Sequence, residues 1–172
     1  MSPLEVAQAP VLRSPSVDDG AAIWELVRES GTLEPNTCYA YLLLATHFAP
    51  TCLIAARGGE QVGFVLAYRP PARPEVIFVW QIGVRPDCRG RGLAKRMLHA
   101  LVRRPACADA TYLEATVGVS NRGSDRLFRG FARERGVECA IERGFVSDDF
   151  GPLDHEAEHL YRIGPLDHEI SQ

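Results

Sequence analysis

The stretch that decides the fold is Val84-Arg85-Pro86-Asp87-Cys88-Arg89-Gly90-Arg91-Gly92-Leu93-Ala94. An apolar, strand-like segment ends at Val84, a turn begins at Pro86, and two glycines come before an amphipathic helix. Glycines leave main-chain N–H groups unblocked, and the N–H groups at a helix N-terminus are unpaired and lie at the positive end of the helix dipole. An anion is favoured at such a position. We call residues 84–94 the phosphate loop, because this order of features predicts a site for a di- or polyphosphate.

Basic residues strengthen this interpretation. Arg85, Arg89 and Arg91 bring positive charge to the loop, and Lys95 and Arg96 follow one turn later. The plain alternative is a solvated basic turn in front of a helix. The dinucleotide-binding fingerprint does not fit, because the third glycine is missing from the required spacing, and the Walker A pattern does not fit, because no Gly-Lys-Ser/Thr is present.

The segments on either side of the phosphate loop predict a mixed α/β domain. On its N-terminal side, strand-like segments joined by short links predict an antiparallel meander at residues 52–57, 61–68 and 76–84. On its C-terminal side, the pattern predicts a helix at 92–104, a strand at 111–117, a helix at 121–135 and a strand at 160–163. A strand at 11–13 and two helices are predicted before the meander. The first helix is capped by Asp18 or Asp19 and ends near Ser30, and the second helix is capped by Asn36 and covers 37–48. The crossover after the loop implies that strands 76–84 and 111–117 are parallel neighbours.

Length and composition limit the classes of function. The chain has 172 residues, 46% of them hydrophobic, so we expect one domain at residues 11–166 between a disordered N-terminal tail at 1–10 and a C-terminal tail at 167–172. The net charge of −3 gives no general attraction to nucleic acid or to a membrane surface, and neither is expected as a partner. No apolar run approaches the roughly 20 residues of a membrane span, and residues 1–10 lack the features of a signal peptide, so a cytoplasmic location is expected. The five cysteines are widely spaced, which predicts neither a metal site nor a disulfide framework.

The phosphate loop resembles the pyrophosphate signature of the GCN5-related N-acetyltransferase (GNAT) family, Gln/Arg-x-x-Gly-x-Gly/Ala. The matching residues are Arg89, Gly90, Arg91, Gly92, Leu93 and Ala94. The resemblance implies a GNAT-like mixed sheet, in which an antiparallel meander is followed by a βαβ half and helices flank the sheet. It also implies that acetyl-CoA binds with its pyrophosphate on the amides of residues 89–94, and that its pantetheine arm pairs with the main chain of Ile82 and Val84. In the family, the strand that carries these residues splays from its parallel neighbour and opens a slot.

A second family motif begins at Asn121. Physically, Asn121 is a helix N-cap, whereas the resemblance implies that the asparagine of Asn-x-x-Ser-x-x-Leu also contacts the cofactor arm; both interpretations remain open. In this chain the motif covers residues 121–128, and relatives often have at its last position, after the leucine, a tyrosine that protonates the departing thiolate, whereas this chain has Phe128. Either another group such as Tyr161 supplies the proton, or the thiolate leaves unassisted, which a thiol pKa of about 8.5 would allow.

Three further segments, at residues 36–44, 78–81 and 155–165, resemble one branch of this family, the enzymes that acetylate L-2,4-diaminobutyrate. That resemblance implies a small diamino acid as the substrate, acetylation of its γ-amine as a step of ectoine biosynthesis, and a homodimer. The competing hypotheses are an acetyltransferase for another small amine, and a non-catalytic sensor that binds acyl-CoA. A covalent route through Cys88, which lies beside the arginines, is a further alternative to direct transfer.

We call the part of the predicted site that binds the amine substrate the amine side. It needs carboxylates for an ammonium group and a base for the reacting amine. We predict His155, Glu158 and Gln81 as catalytic residues, with His155 or Glu158 accepting the proton and Gln81 orienting the amine or a water. The predicted substrate-binding residues are Glu34, Tyr39, Trp80 and Glu156. Tyr39 and Tyr41 lie two apart on a helix and face different directions, and Tyr39 is chosen. These residues also have a purely structural interpretation, in which Glu34 and residues 155–159 belong to polar surface loops and Trp80 packs in the core.

Overall fold

The computed structural model describes residues 9–166, so the predicted tails lie outside the described residues apart from Ala9 and Pro10. Within this range the chain forms a seven-stranded mixed sheet with the order β1-β2-β3-β4-β5-β7-β6. The strands are β1 Val11–Arg13, β2 Leu53–Arg57, β3 Glu60–Tyr68, β4 Val76–Val84, β5 Tyr112–Gly118, β6 Glu138–Arg143 and β7 Glu158–Gly164. The predicted antiparallel meander β2-β3-β4 and the parallel pairing of β4 with β5 are confirmed.

Four helices flank the sheet: α1 Gly20–Ser30, α2 Cys38–His47, α3 Leu93–Val102 and α4 Arg122–Arg135. All four were predicted, but the predicted cap of α2 was wrong. Thr37 is the extended N-cap residue, whereas the carbonyl of Asn36 accepts a hydrogen bond from Trp24 Nε1 at 3.0 Å. No helix of residues 9–166 is long and apolar enough to cross a membrane.

The sequence pattern failed to predict β6. Its sequence, Glu-Cys-Ala-Ile-Glu-Arg, is short and charged at both ends. It becomes a strand because it pairs along its whole length with β7, and two of its side chains, Cys139 and Ile141, pack against the core. The partner strand follows some fifteen residues later, so local sequence carries only part of the signal.

Each face of the sheet has its own core. On one face, α3 and α4 pack through residues such as Met97, Leu101 and Phe131, which are fully buried. On the other face, α1 and α2 pack through residues such as Ile23 and Tyr41. We call these the α3/α4 face and the α1/α2 face.

The sheet opens between β4 and β5. Their pairing is confined to Val76–Phe78 with Tyr112–Glu114, whereas β5 goes on pairing with β7 as far as Gly118. The Glu114 carboxylate, fully buried, closes the paired end by binding Arg73 from the loop before β4 and Arg162 from β7. Beyond Phe78, the edge of β4 therefore has no strand partner on the β5 side within the described residues, as the family resemblance implied.

Candidate active site

The phosphate loop presents an open main chain. Gly90 and Gly92 have φ of +73° and +74°, a backbone conformation that favours glycine, and a Cβ built on either would meet nothing within 4 Å. Gly92 is the N-cap of α3, and no side chain caps this helix. The first N–H groups of α3 therefore have no side-chain cap and lie at the positive end of the helix dipole, which is the arrangement that binds a phosphate.

The three loop arginines have different partners. Arg85 pairs with Asp87 and Glu60, so its charge is compensated and its pKa is raised, chiefly by the hydrogen bond to Asp87. Arg89 donates through Nε to the carbonyl of Val84 and through a terminal nitrogen to that of Ser30, both at 3.0 Å. Arg91 is exposed and has no ion pair within residues 9–166.

These contacts indicate different roles for Arg89 and Arg91. Arg89 braces the loop against the end of α1, and Arg91 remains available for an anion. The predicted binding role of Arg89 therefore concerns its main-chain amide rather than its guanidinium.

A β-bulge interrupts β4 where the slot opens. Leu66 of β3 pairs with Gln81 and Ala67 pairs with Val79, which leaves Trp80 as the extra residue without a partner on β3. A bulge breaks the strict alternation of side chains between the two faces.

The bulge brings two neighbouring side chains to the same face. Val79 and Ile82 pack on the α3/α4 face, whereas Trp80 packs with the core of the α1/α2 face and Gln81 contacts Tyr41 of α2. Strict alternation would have placed Trp80 and Gln81 on opposite faces. The predicted pair Trp80 and Gln81 thus reaches the amine side together only because of the bulge.

Gln81 is 8% exposed and holds the α1–α2 loop. Its Oε1 accepts from the hydroxyl of Tyr41 at 3.1 Å, and its Nε2 donates to the carbonyl of Glu34 at 3.0 Å. The same hydroxyl accepts from the amide of Asn36 at 3.1 Å. Both ends of the Gln81 amide are therefore satisfied by groups that fix the position of Glu34.

The preference for Tyr39 over Tyr41 is not supported by this geometry. Tyr39 is 67% exposed, whereas Tyr41 is fully buried and its ring lies 5.7 Å from that of Trp80. Helix α2 is apolar on nearly every side, so its sequence has no polar face that marks the outside. The packing of α2 on α1 decides which tyrosine faces inward, and a substrate contact of Tyr39 stays a prediction.

His155 joins the predicted carboxylates. Its Nε2 lies 3.2 Å from Glu34 Oε2 and 3.7 Å from Glu158 Oε1. Its Nδ1 lies 2.7 Å from the carbonyl oxygen of Glu156, and its ring stacks on Phe150 at 3.8 Å. The carbonyl of Glu156 and the two carboxylates together raise the pKa of His155. We call Glu34, Gln81, His155 and Glu158 the amine-side cluster.

Glu156 does not point into this cluster. Its carboxylate accepts from the amide of Ser120 at 3.1 Å and from the Ser120 hydroxyl at 2.8 Å, and it packs against Gly118. Glu156 lies in the loop before β7, so the alternation of side chains along that strand does not fix the direction of its side chain, and the sequence could not show it. Its contacts support a role in holding the turn after β5, and its predicted substrate contact stays a prediction.

Asn121 caps α4 as predicted, because its Oδ1 accepts from the amide of Ser124 at 3.0 Å. Its predicted contact with the cofactor arm stays a prediction.

A family model described as "Acetyltransferase (GNAT) family" matches residues 21–131. The chain belongs to this family. It is 48% identical over 152 residues to the L-2,4-diaminobutyric acid acetyltransferase of Halalkalibacterium halodurans, which is 88% of this chain and 80% of that relative. It is 46% identical over 158 residues to the enzyme of the same name from Bordetella parapertussis, which is 91% of this chain and 85% of that relative.

Among solved structures, the fold is similar to the diaminobutyrate acetyltransferase from Paenibacillus lautus in complex with L-2,4-diaminobutyric acid and coenzyme A. The TM-score is 0.88 at 41% identity, and the match covers 94% of this chain and 98% of that one. These similarities confirm the GNAT fold and the resemblance to the diaminobutyrate branch.

The position of the family tyrosine is occupied by Phe128, which is 2% exposed and packs beside Tyr161. The Tyr161 hydroxyl donates to Asp125 Oδ1 at 2.7 Å. Burial, with this bond, raises the pKa of Tyr161 to about 12. A phenol that already donates its proton to a carboxylate is a poor acid, so the structure favours a GNAT site in which the thiolate leaves without help from Tyr161.

Cys88 lies in the loop but is 3% exposed and belongs to the core of the α3/α4 face. This packing gives no support to a covalent route. No group of three or more His, Cys, Asp or Glu residues within 9–166 could hold a metal ion.

Proposed function

We propose that this protein transfers the acetyl group of acetyl-CoA to the γ-amine of L-2,4-diaminobutyrate, giving Nγ-acetyl-2,4-diaminobutyrate, the acetylation step of ectoine biosynthesis. One observation supports this proposal most strongly. The amine-side cluster brings Glu34 and Glu158 to the same nitrogen of His155, Nε2, at the splay between β4 and β5, in a chain nearly half identical to enzymes named for this substrate.

The residues of the phosphate loop fit acetyl-CoA. The open amides after Gly90 and Gly92 suit a pyrophosphate, and Arg91 adds a free cation. The edge of β4 beyond Phe78, where Ile82 and Val84 lie, offers main-chain groups to an extended amide-bearing arm. Bound acetyl-CoA supplies a thioester, whose acyl carbon forms the new amide bond while the C–S bond breaks.

The chain's own residues prepare the amine. A free alkyl ammonium has a pKa of about 10, so the amine must lose a proton before it can attack. Glu34 and Glu158 offer two carboxylates to the diamino acid's ammonium groups, and the Glu158–His155 pair can accept the proton. Gln81 fixes the main chain at Glu34 and so sets where that carboxylate lies.

In the proposed reaction, main-chain N–H groups of β4 at the Trp80 bulge, where the register with β3 shifts, polarise the acyl oxygen. The thiolate is a stable leaving group without a proton donor, since a thiol has a pKa of about 8.5. Transfer is then direct, with both substrates bound together.

The decisive experiment is a turnover panel. Purified protein is given acetyl-CoA with 2,4-diaminobutyrate, 2,3-diaminopropionate, ornithine or lysine, and thiol release is followed. We expect turnover with 2,4-diaminobutyrate to exceed that with the others by at least about 100-fold, with NMR placing the acetyl group on the γ-nitrogen. Turnover of another amine at the same rate would move the proposal to a different small-amine acetyltransferase, and CoA binding without turnover of any amine would indicate a sensor.

Three finer properties belong to the same proposal: a homodimer, a cytoplasmic location and a role in osmotic stress. The dimer is supported by the exposed apolar side chain of Phe145, which closely follows the edge strand β6. Light scattering of the purified protein tests it, and a monomer at micromolar concentration would refute it.

A further inference from the structure

The imidazole of His155 is enclosed on all polar sides by hydrogen-bond acceptors. The carbonyl oxygen of Glu156 faces Nδ1 at 2.7 Å, and Glu34 and Glu158 face Nε2 at 3.2 and 3.7 Å. A carbonyl oxygen cannot donate, so Nδ1 must carry a hydrogen. An ionised carboxylate cannot donate either, so Glu34 and Glu158 favour a hydrogen on Nε2 as well.

A neutral ring would satisfy only one of these sides. Its lone pair would then face either the carbonyl or two negative carboxylates, which is unfavourable in a site where the His155 side chain is only 19% exposed. Phe150, which stacks on the ring, carries no charge. The carboxylate of Glu156 is turned away to Ser120.

We propose that His155 is a doubly protonated positioning residue, which ties the α1–α2 loop to β7 through Glu34 and Glu158 and leaves Glu158 as the group that accepts the amine's proton. This inference rests on the proposed function for the identity of the amine, but the protonation state of His155 does not depend on it.

The charge balance agrees with this assignment. Two carboxylates and one imidazolium give these three side chains a net charge of −1, and 2,4-diaminobutyrate with two ammonium groups and one carboxylate has a net charge of +1. A neutral His155 would leave two uncompensated carboxylates within 4 Å of one nitrogen. The imidazolium therefore holds the carboxylates together before substrate arrives.

The state of His155 is tested directly by NMR of protein labelled with 15N-histidine, titrated without substrate. We expect both ring nitrogens of His155 to be protonated at pH 6.5, and Glu34→Gln and Glu158→Gln each to lower its pKa by about half a unit or more. Glu60→Gln, which removes an exposed carboxylate next to Arg85, is the matched control and should leave His155 unchanged. A His155 with one bare nitrogen at pH 6.5, or one indifferent to both cluster variants, overturns the proposal whatever the substrate proves to be.

The role of His155 is tested by two replacements. His155→Arg keeps the positive charge and can stack on Phe150 but cannot accept a proton at neutral pH, whereas His155→Gln loses the charge. We expect His155→Arg to retain at least about fivefold more kcat/KM than His155→Gln, with added imidazole rescuing neither variant.

Imidazole rescue of His155→Gln, or equal loss in both variants with unchanged melting temperature and CoA affinity, would identify His155 as the base instead. If neither variant folds, the NMR titration of the wild-type side chain and of the glutamate variants still decides the protonation state.

Discussion

The phosphate loop lies within residues 84–94, whereas the amine-side cluster draws on the α1–α2 loop, the bulge in β4, the loop before β7 and β7 itself. The first is set by local backbone: two positive-φ glycines and a helix N-terminus give it an open surface. The second is set by contacts between distant segments, such as Gln81 with the carbonyl of Glu34. This difference suggests that changes in the loop will weaken cofactor binding alone, whereas changes in the cluster will affect the amine and catalysis.

The largest effect is expected from Glu158→Gln, which removes the carboxylate beside His155. We expect kcat to fall by about 100- to 1,000-fold, the range for loss of a general base, with the affinity for CoA unchanged. Steady-state kinetics from pH 6 to 9 and calorimetry with CoA measure the two quantities. Glu142→Gln on the neighbouring strand β6 is the control, and a kcat near that of the wild type would remove Glu158 from the mechanism.

The next effect tests the loop. Gly92→Ala places a Cβ in the open space over the first amides of α3 and strains a residue with φ of +74°. We expect CoA to bind about 10-fold more weakly and the free energy of unfolding to fall by about 1 kcal/mol. Gly136→Ala at the end of α4, where φ is +67° with the same open surroundings, should cost similar stability without changing the Kd of CoA. Equal CoA affinity in the two variants would contradict the phosphate site.

A smaller effect is expected from Gln81→Leu. The change leaves the hydroxyl of Tyr41 and the carbonyl of Glu34 without their partner, which should cost about 1–3 kcal/mol in urea unfolding. Because the α1–α2 loop then loses its anchor, KM for the amine should rise about 10-fold while CoA binds as before. If KM for acetyl-CoA rises by the same factor, the separation between the two regions fails.

Tyr41→Phe removes one hydroxyl from this network, and we expect a loss of about 1 kcal/mol in the free energy of unfolding. Tyr39→Phe is the matched control on the same helix, and its exposed hydroxyl should contribute nothing measurable to stability. Loss of stability in the Tyr39 variant alone would reverse the assignment of the inward tyrosine.

The smallest effect is expected from Tyr161→Phe. Its hydroxyl is bound to Asp125 and its pKa is raised to about 12, so it should contribute little as an acid. We expect kcat to change by less than about threefold at pH 7–9. A loss of more than about 30-fold, with an unchanged Kd for CoA, would show that Tyr161 replaces the tyrosine missing at Phe128.

The sequence by itself determined the features that local physics sets. The meander, the crossover and the phosphate loop follow from short links, apolar periodicity and glycines before a helix, all of which lie within consecutive residues. The chemistry of the second region was also visible as residue types, since His155, Glu158, Glu34 and Gln81 were all predicted for the site.

Only the tertiary structure decided which of these side chains meet. The bulge at Trp80 turned Gln81 to the face of α2, the packing of α2 chose Tyr41 over Tyr39, and Ser120 drew Glu156 away from the cluster. Strand β6 likewise exists because β7 pairs with it. The physical reason is the same in all four cases. Each feature depends on a hydrogen bond or a packing contact with a residue distant in the sequence, and the local sequence around one partner does not reveal the other.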